Sequence, residues 1–368
     1  MHLGHLWLTD FRNYPIAELA PARSGLTVVE GANGEGKTNL LEAIAYLATL
    51  RSFRGAPGDA MVRTGAESAI VRAEAEREGR GVLIEAELRR VGRDRVQVNR
   101  QPLRRTRDLL GALVVTVFAP DDLALVKGGP GARRAYLDDL LVALHPRHDA
   151  TQNELDRVLK QRNALLKSSG GRATPEVVAT LDVWDAKLAA AGEALVAARQ
   201  GLTGALGTVA SEAYAGLATA SMSAGATGRD RDVVALSYQR SWSGPLDDAL
   251  AGARTEDLRR GVTTVGPQRD ELDLFVGGLP ARTHGSQGEQ RSLALALRLA
   301  GHRIVTDRIG SAPVLLLDDV FSELDPFRAG ALLAGLPPGQ ALLTTASGLP
   351  AGANPAVTAR VADGTLVS

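Results

Sequence analysis

The chain has no cysteine among its 368 residues, which excludes disulfides and thiolate metal sites and fits a reducing compartment. It has no excess of charge of either sign, with 42 lysines and arginines against 42 aspartates and glutamates. A protein that grips nucleic acid by bulk charge is basic, so any such contact here must be local. Aromatic residues make up 4% of the chain, too few to suggest stacking on unpaired bases. No apolar run is long enough to span a bilayer, and "MHLGHLWLTDFRNYP" lacks the charged start and apolar middle of a signal peptide. Lysine is scarce as well. Five of the 42 cations are lysine and 37 are arginine. Arginine suits bidentate contact with phosphate and carboxylate, although genomic base composition produces the same bias. What remains is a chain of ordinary globular composition, 45% hydrophobic and 23% charged, long enough for two or three domains.

Its most informative stretch is "VVEGANGEGKTNLLEAI", residues 28–44. Gly31, Ala32, Asn33, Gly34, Glu35, Gly36, Lys37 and Thr38 fit the pattern G-x-x-x-x-G-K-[ST]. An apolar strand (26–30) precedes them and a helical pattern (39–50) follows, which is the context a phosphate-binding loop requires. Glycines let several backbone N–H groups turn inward, and the positive end of the helix dipole adds to their field. Lys37 then reaches the β- and γ-phosphates, and the Thr38 hydroxyl ligates Mg²⁺. The blander reading is a plain strand–turn–helix.

Far along the chain, "SAPVLLLDDVFSELDP" (311–326) places Asp318 and Asp319 at the end of a short strand of buried-parallel type. Asp318 suits a Mg²⁺-holding carboxylate and Asp319 the group that orients or deprotonates an attacking water. Between the two regions, "THGSQGEQRSLALALRLAGHRI" (283–304) opens a helix on Ser286, Gln287 and Gly288. Ser286 with Glu289 makes a capping box, and the same helix start suits a second phosphate contact; the two readings are compatible.

Together these pieces resemble an ABC-type ATPase. "HGSQGEQRSLALAL" is similar to the ABC signature and "SELD" (322–325) to the D-loop. The resemblance implies an α/β, ABC-type P-loop head of two lobes that closes head to head on ATP, the P-loop of one subunit facing Ser286 of the other. The stretches "LWLTDFRNYPIAEL" and "GANGEGKTNLLEAIAYLATLRSFRG" look like SMC-type heads. Residues 96–141, with Phe118, Pro120, Asp121, Asp122, Leu123, Lys127, Gly128, Arg133 and Arg134, are similar to the RecF family, as is "GPQRDELDLFVGG" (266–278). The likeness extends from about residue 3 to 348. It implies a cytoplasmic, nucleoid-associated ATPase that clamps double-stranded or gapped DNA. It also implies a RecR-type mediator partner, help in loading RecA, and links to the SOS response.

Two departures from the general ABC pattern imply slow hydrolysis. Asp319 stands where a glutamate is usual, and "ALLTTASG" (341–348) offers Thr344, Thr345 and Ser347 where a switch histidine is expected. Asp121 or Asp122 takes the place of the glutamine that links nucleotide to the helical insert. Other readings are an SMC-like head that tethers DNA, and the ATPase subunit of a membrane transporter. The transporter normally keeps the switch histidine and needs no helical arm.

Along the chain, residues 1–128 read as the first ATPase lobe, with a hairpin turning near Gly92. Residues 129–228 read as a short antiparallel helical, coiled-coil-like arm. In it Leu181, Trp184, Leu188, Ala191, Leu195, Ala198, Leu202, Ala205 and Val209 make a seam against Leu155, Val158 and Leu165, broken by Arg162. "GATGRDRDV" (225–233) brings the chain back, residues 229–276 return strands to the first lobe, and 277–368 form the second lobe. Eight arginines lie between 89 and 107 with one acid, Asp94. They suit contact with the backbone of duplex DNA, Arg104, Arg105 and Arg107 foremost; a solvated hairpin face is the equal alternative. Arg133 and Arg134 either contact DNA or pair with Asp138 and Asp139 at helical spacing. The six histidines suggest no metal set.

Overall fold

The computed structural model describes residues 1–103, 105–219, 233–322 and 324–367. The returning segment 225–232 and Glu323 of the "SELD" stretch lie outside them. The chain starts with β1 (His2–Phe11), β2 (Tyr14–Leu19), β3 (Gly25–Glu30) and α1 (Lys37–Thr49). Strands β4 (Ser68–Arg77), β5 (Arg80–Arg89), β6 (Arg95–Val98), β7 (Gln101–Pro102) and β8 (Val115–Phe118) follow. A helical stretch comes next, with α2 (Ala124–Lys127), α3 (Pro130–Leu144), α4 (Arg147–Ser168) and α5 (Pro175–Thr219). Then come β9 (Val234–Gln239), α6 (Leu246–Arg260), β10 (Glu271–Val276), β11 (Leu279–Pro280) and α7 (Ala281–His284). The last part holds α8 (Gln287–Ile309), β12 (Val314–Asp318), α9 (Pro326–Ala334), β13 (Gln340–Thr345), β14 (Val357–Ala362) and β15 (Thr365–Val367). The chain divides into two units. Unit 1 takes the described residues within Met1–Leu123, Val209–Asp232 and Ser286–Ser368. Unit 2 takes Ala124–Thr208 and Val233–Gly285.

Unit 1 has two six-stranded sheets. One is antiparallel, in the order β2-β1-β4-β5-β6-β7; the other runs β15-β14-β3-β13-β12-β8, parallel except for the final hairpin. Helix α1 packs against strands of both sheets. It is therefore buried all round, every residue from Leu40 to Ala48, and apolar there except for Glu42. The antiparallel strand β4 buries Ala69, Val71, Ala73 and Ala75 on alternate positions, the period of a half-covered sheet. The parallel strand β12, "VLLLD", is buried at every position, as a strand covered on both faces requires. Its end carries Asp318 to the carboxyl edge of the sheet, in register with Thr344 of β13.

Unit 2 is built on helices that carry charge inside. Leu166 of α4 packs on Leu181 of α5, and Arg162 of α4 reaches Asp185 of α5, so the two helices run antiparallel. The buried stripe of α5 keeps Leu181, Leu188, Leu195 and Leu202, but the seam positions Ala198, Ala205 and Val209 give way to the buried Arg199, Leu206 and Ala210. A helix that does not supercoil drifts about 20° per heptad, so its inward face follows a 3.6-residue period. Arg162 does not break the stripe. It is fully buried, donating to Asp185 at 2.6 Å, to Asp257 of α6 at 2.7 Å and to Thr263 at 2.9 Å. The expected return strands of 229–276, β9 and β10, pair with one another, β11 from the stretch read as the second lobe adds to them, and among the described residues none of the three joins a sheet of unit 1.

Arg133 and Arg134 pair inside this unit, with other partners than helical spacing gave. Arg133 makes two bonds to Glu271, at 2.7 and 2.8 Å, and caps α2 through Leu125 O and Gly128 O. Arg134 donates to Asp270 O at 2.6 Å, while Asp138 is taken by Arg199 at 2.7 Å through two nitrogens. Thus the two stretches that resemble RecF, 96–141 and 266–278, meet through the buried Arg133 and the half-buried Arg134. Removing one partner of a buried ion pair strands the other charge, at about 3–5 kcal/mol. Arg162→Ala, which orphans Asp185 and Asp257, is expected to lose about that much stability; urea unfolding would measure it.

Candidate functional site

The P-loop leaves the end of β3 and enters α1 at Lys37. Ala32, Asn33 and Gly34 form its exposed crest, whereas Gly36 and Lys37 are buried. Gly36 has φ 109°, a left-handed conformation that favours glycine, and a Cβ there would stand 2.4 Å from Asn13 Nδ2. Asn13 occupies that space because it braces the loop. It donates to Glu35 O at 2.7 Å and accepts from Asn39 Nδ2 at 2.8 Å, while Tyr14 donates its hydroxyl to Gly36 O at 3.0 Å. The hairpin turn between β1 and β2 thus fixes the loop from the antiparallel sheet. Lys37 Nζ donates to Gly31 O and Ala32 O, both at 2.8 Å, which ties the ammonium to the start of the loop.

Asp318 gathers the rest. Its Oδ1 accepts from Thr38 Oγ1 at 2.8 Å and from Thr344 Oγ1 at 2.7 Å. Burial pushes its carboxyl up from the usual range, the two hydroxyl donors pull it back, the neighbouring Asp319 pushes it further up and the Arg54 cation lowers it. Asp319 follows in a left-handed conformation, φ 48°, unusual for a residue with a side chain. Its N–H is shared between Thr344 O and Thr344 Oγ1, at 3.2 and 3.1 Å, and its buried Oδ1 has no hydrogen-bond partner. A cavity of about 460 Å³ opens beside the loop, lined by Glu30, Gly31, Ala32, Glu35, Thr345 and Arg360 among others.

A second group of residues has its hub at Glu42, fully buried on α1. Arg12 grips it with two bonds of 2.7 Å, and Ser52 donates to it at 2.5 Å. Arg54 lies 3.8 Å from the same carboxylate and donates to Asn39 Oδ1 at 3.1 Å. Sequence reasoning passed over Asn13, Asn39 and Glu42, and it named Thr344 at the switch position without its bond to Asp318. The one available signal was a buried-looking glutamate in an otherwise apolar P-loop helix.

Ser286, Gln287 and Gly288 stand apart from the P-loop, with no hydrogen bond to it. Ser286 and Gln287 are exposed, and Ser286 forms the capping box with Glu289. Asp121 is exposed, and Asp122 turns toward the same helix: its carboxylate takes Arg298 Nη2 at 2.5 Å and Ala119 N at 3.0 Å. The arginine stretch divides. Arg89 pairs with Glu87 at 2.8 Å, and Arg90 donates to the carbonyls of Val62, Arg63 and Ala66. Asp94, the stretch's single acid, is exposed and accepts from Arg89 N and from Tyr46 of α1. Arg93, Arg100 and Arg105 are exposed. Arg104 lies outside the described residues, as does the side chain of Arg107. Among the described residues no cluster of three or more histidine or acidic side chains could hold a metal, and no helix is long and apolar enough to cross a membrane.

The family model described as "RecF/RecN/SMC N terminal domain" matches residues 2–337. The chain is 45% identical to the DNA replication and repair protein RecF of Streptomyces avermitilis, over 94% of both chains. It is 46% identical to that of Frankia alni, over 94% of this chain and 93% of the relative. A solved structure of the recombination mediator protein RecF with ATP superposes with a TM-score of 0.88 at 28% identity, covering all of this chain and 97% of the other. An Smc head domain from Pyrococcus furiosus shares the fold, with a TM-score of 0.55 at 17% identity. An ABC-type ATPase head, a P-loop joined to an acidic strand end, and relatives matched over nearly their whole length make this chain a member of the RecF family.

Proposed function

We propose that the chain is an ATP-dependent DNA-binding switch of recombinational repair, in which ATP closes two copies head to head on DNA. The observation that carries this reading is the 2.8 Å bond from Thr38 to Asp318, which joins a P-loop to a strand-end carboxylate across 280 residues. Relatives matched over 94% of the chain favour it over an SMC-like tether or a transporter subunit. The backbone N–H groups of residues 31–38 cradle the phosphates, and Lys37 exchanges its two carbonyl partners for phosphate oxygens.

Thr38 and Asp318 fit a magnesium ion. They offer a hydroxyl and a carboxylate already side by side, and magnesium prefers such hard oxygens. When bound, it would neutralise charge on the β- and γ-phosphates. Asp319 is the water-orienting group, with its free buried oxygen as acceptor; water then displaces ADP from the γ-phosphorus. Hydrolysis is slow because the aspartate reaches one methylene less far than glutamate, and Thr344 is committed to Asp318. Ser286, Gln287 and Gly288, presented at a helix start, complete the site on a second copy's triphosphate. DNA follows the exposed arginines of the β5–β6 and β6–β7 turns, with Arg104, Arg105 and Arg107 in the same stretch. A RecR-type mediator and RecA act downstream.

Light scattering with and without ATP tests this. Wild type is expected to dimerise with ATP, Lys37→Ala and Ser286→Ala to stay monomeric, and Asp319→Asn to stay trapped as the dimer. Wild type that stays monomeric throughout would contradict the switch. For DNA, each lost phosphate contact lowers the slope of log affinity against log salt by about 0.9. Replacing Arg93, Arg100 and Arg105 together by alanine should reduce that slope by about 2–3; an unchanged slope removes this surface.

A further inference from the structure

The start of α8 meets Arg328 from elsewhere in unit 1, a contact that has no part in capping the helix. Arg328 lies on α9, just past the D-loop stretch. Its N–H and its Nη1 both donate to Asp325, at 2.9 and 2.6 Å, so the guanidinium is held at the helix start. From there its planar head lies against Gly288. A Cβ built on Gly288 would stand 2.8 Å from Nη1, 2.9 Å from Nη2 and 3.0 Å from Cζ, closer than side-chain carbons approach other atoms. The Arg328 Nε is buried and has no hydrogen-bond partner. A long cation that gives up a hydrogen bond to lie flat on a glycine is there for position, since free in water it would be fully solvated.

We propose that Arg328 is a positioning residue that clips the D-loop and α9 onto the signature turn, so that both reach a second copy's nucleotide as one rigid surface. A Cβ at position 288 would have to push the guanidinium off the turn, so the contact as it stands depends on glycine there. The proposal rests on the ATP-driven dimer argued above. It adds that the signature turn at 286–288 and Asp325 at the start of α9 are coupled inside one subunit before any partner arrives. The clip costs nothing at the P-loop, with which it shares no hydrogen bond. Its loss should therefore separate ATP binding from dimer closure, which a general loss of folding would not do.

The test is a double-mutant cycle on the full-length protein with MgATP, reading monomer ATP affinity by titration of a fluorescent ATP analogue and dimerisation by sedimentation velocity. Arg328→Ala is expected to leave ATP affinity within about twofold and weaken the dimer by about tenfold or more. Gly288→Ala should cost about tenfold in the wild-type background but less than about threefold in the Arg328→Ala background, where the colliding head is gone. An equal cost of Gly288→Ala in both backgrounds would show that the glycine serves phosphate approach alone, and would overturn the inference. So would unimpaired dimerisation of Arg328→Ala. Wild type that stays monomeric with MgATP would overturn the dimer reading and this inference with it.

Discussion

The Asp318 carboxylate at the end of β12 is the constraint around which the candidate nucleotide site is organised. One of its oxygens accepts two hydroxyls, Thr38 from the P-loop helix and Thr344 from β13. Strands β3 and β12 are not neighbours; β13 lies between them, in register with both. The site therefore exists only if three parallel strands from the two ends of the chain align to within one residue. A slip of one residue would turn Thr344 to the other face of the sheet and break the bridge. The apolar runs of β12 and β13, buried at every position, hold that alignment.

Several buried or half-buried arginines bind carboxylates within the protein. Arg12 locks Glu42 behind the P-loop, Arg133 ties the start of α3 to β10, and Arg162 joins α4, α5 and α6. Each grips carboxylates through several nitrogens, a planar geometry that lysine does not match. The 37 arginines and five lysines balance 42 acids, and many arginines, Arg23, Arg80, Arg172 and Arg282 as well as Arg93, Arg100 and Arg105, stay exposed.

The local motifs were legible in the sequence because each carries its chemistry within a few residues. The P-loop needs its glycines and Lys37, β12 ends in two acids, and Ser286 and Glu289 sit three apart. The parts that went unread depend on contacts distant in the chain. Thr344 faces Asp318 only through strand register, and Asn13 reaches Gly36 only because a hairpin of the other sheet arrives there. Arg162 looked like a break in an apolar seam because its partners Asp185 and Asp257 lie 23 and 95 residues away. The heptad reading of α5 erred in its later turns, where a 3.5-residue and a 3.6-residue period point to different residues.

The central claim is that Asp318, gathered against Thr38, makes the P-loop a magnesium-dependent triphosphate site. Calorimetric titration of ATP with and without Mg²⁺, for wild type and Asp318→Asn, tests it most directly. The account predicts that Mg²⁺ tightens binding by about tenfold or more in wild type and by less than about twofold in the variant. Equal tightening in both proteins would contradict it.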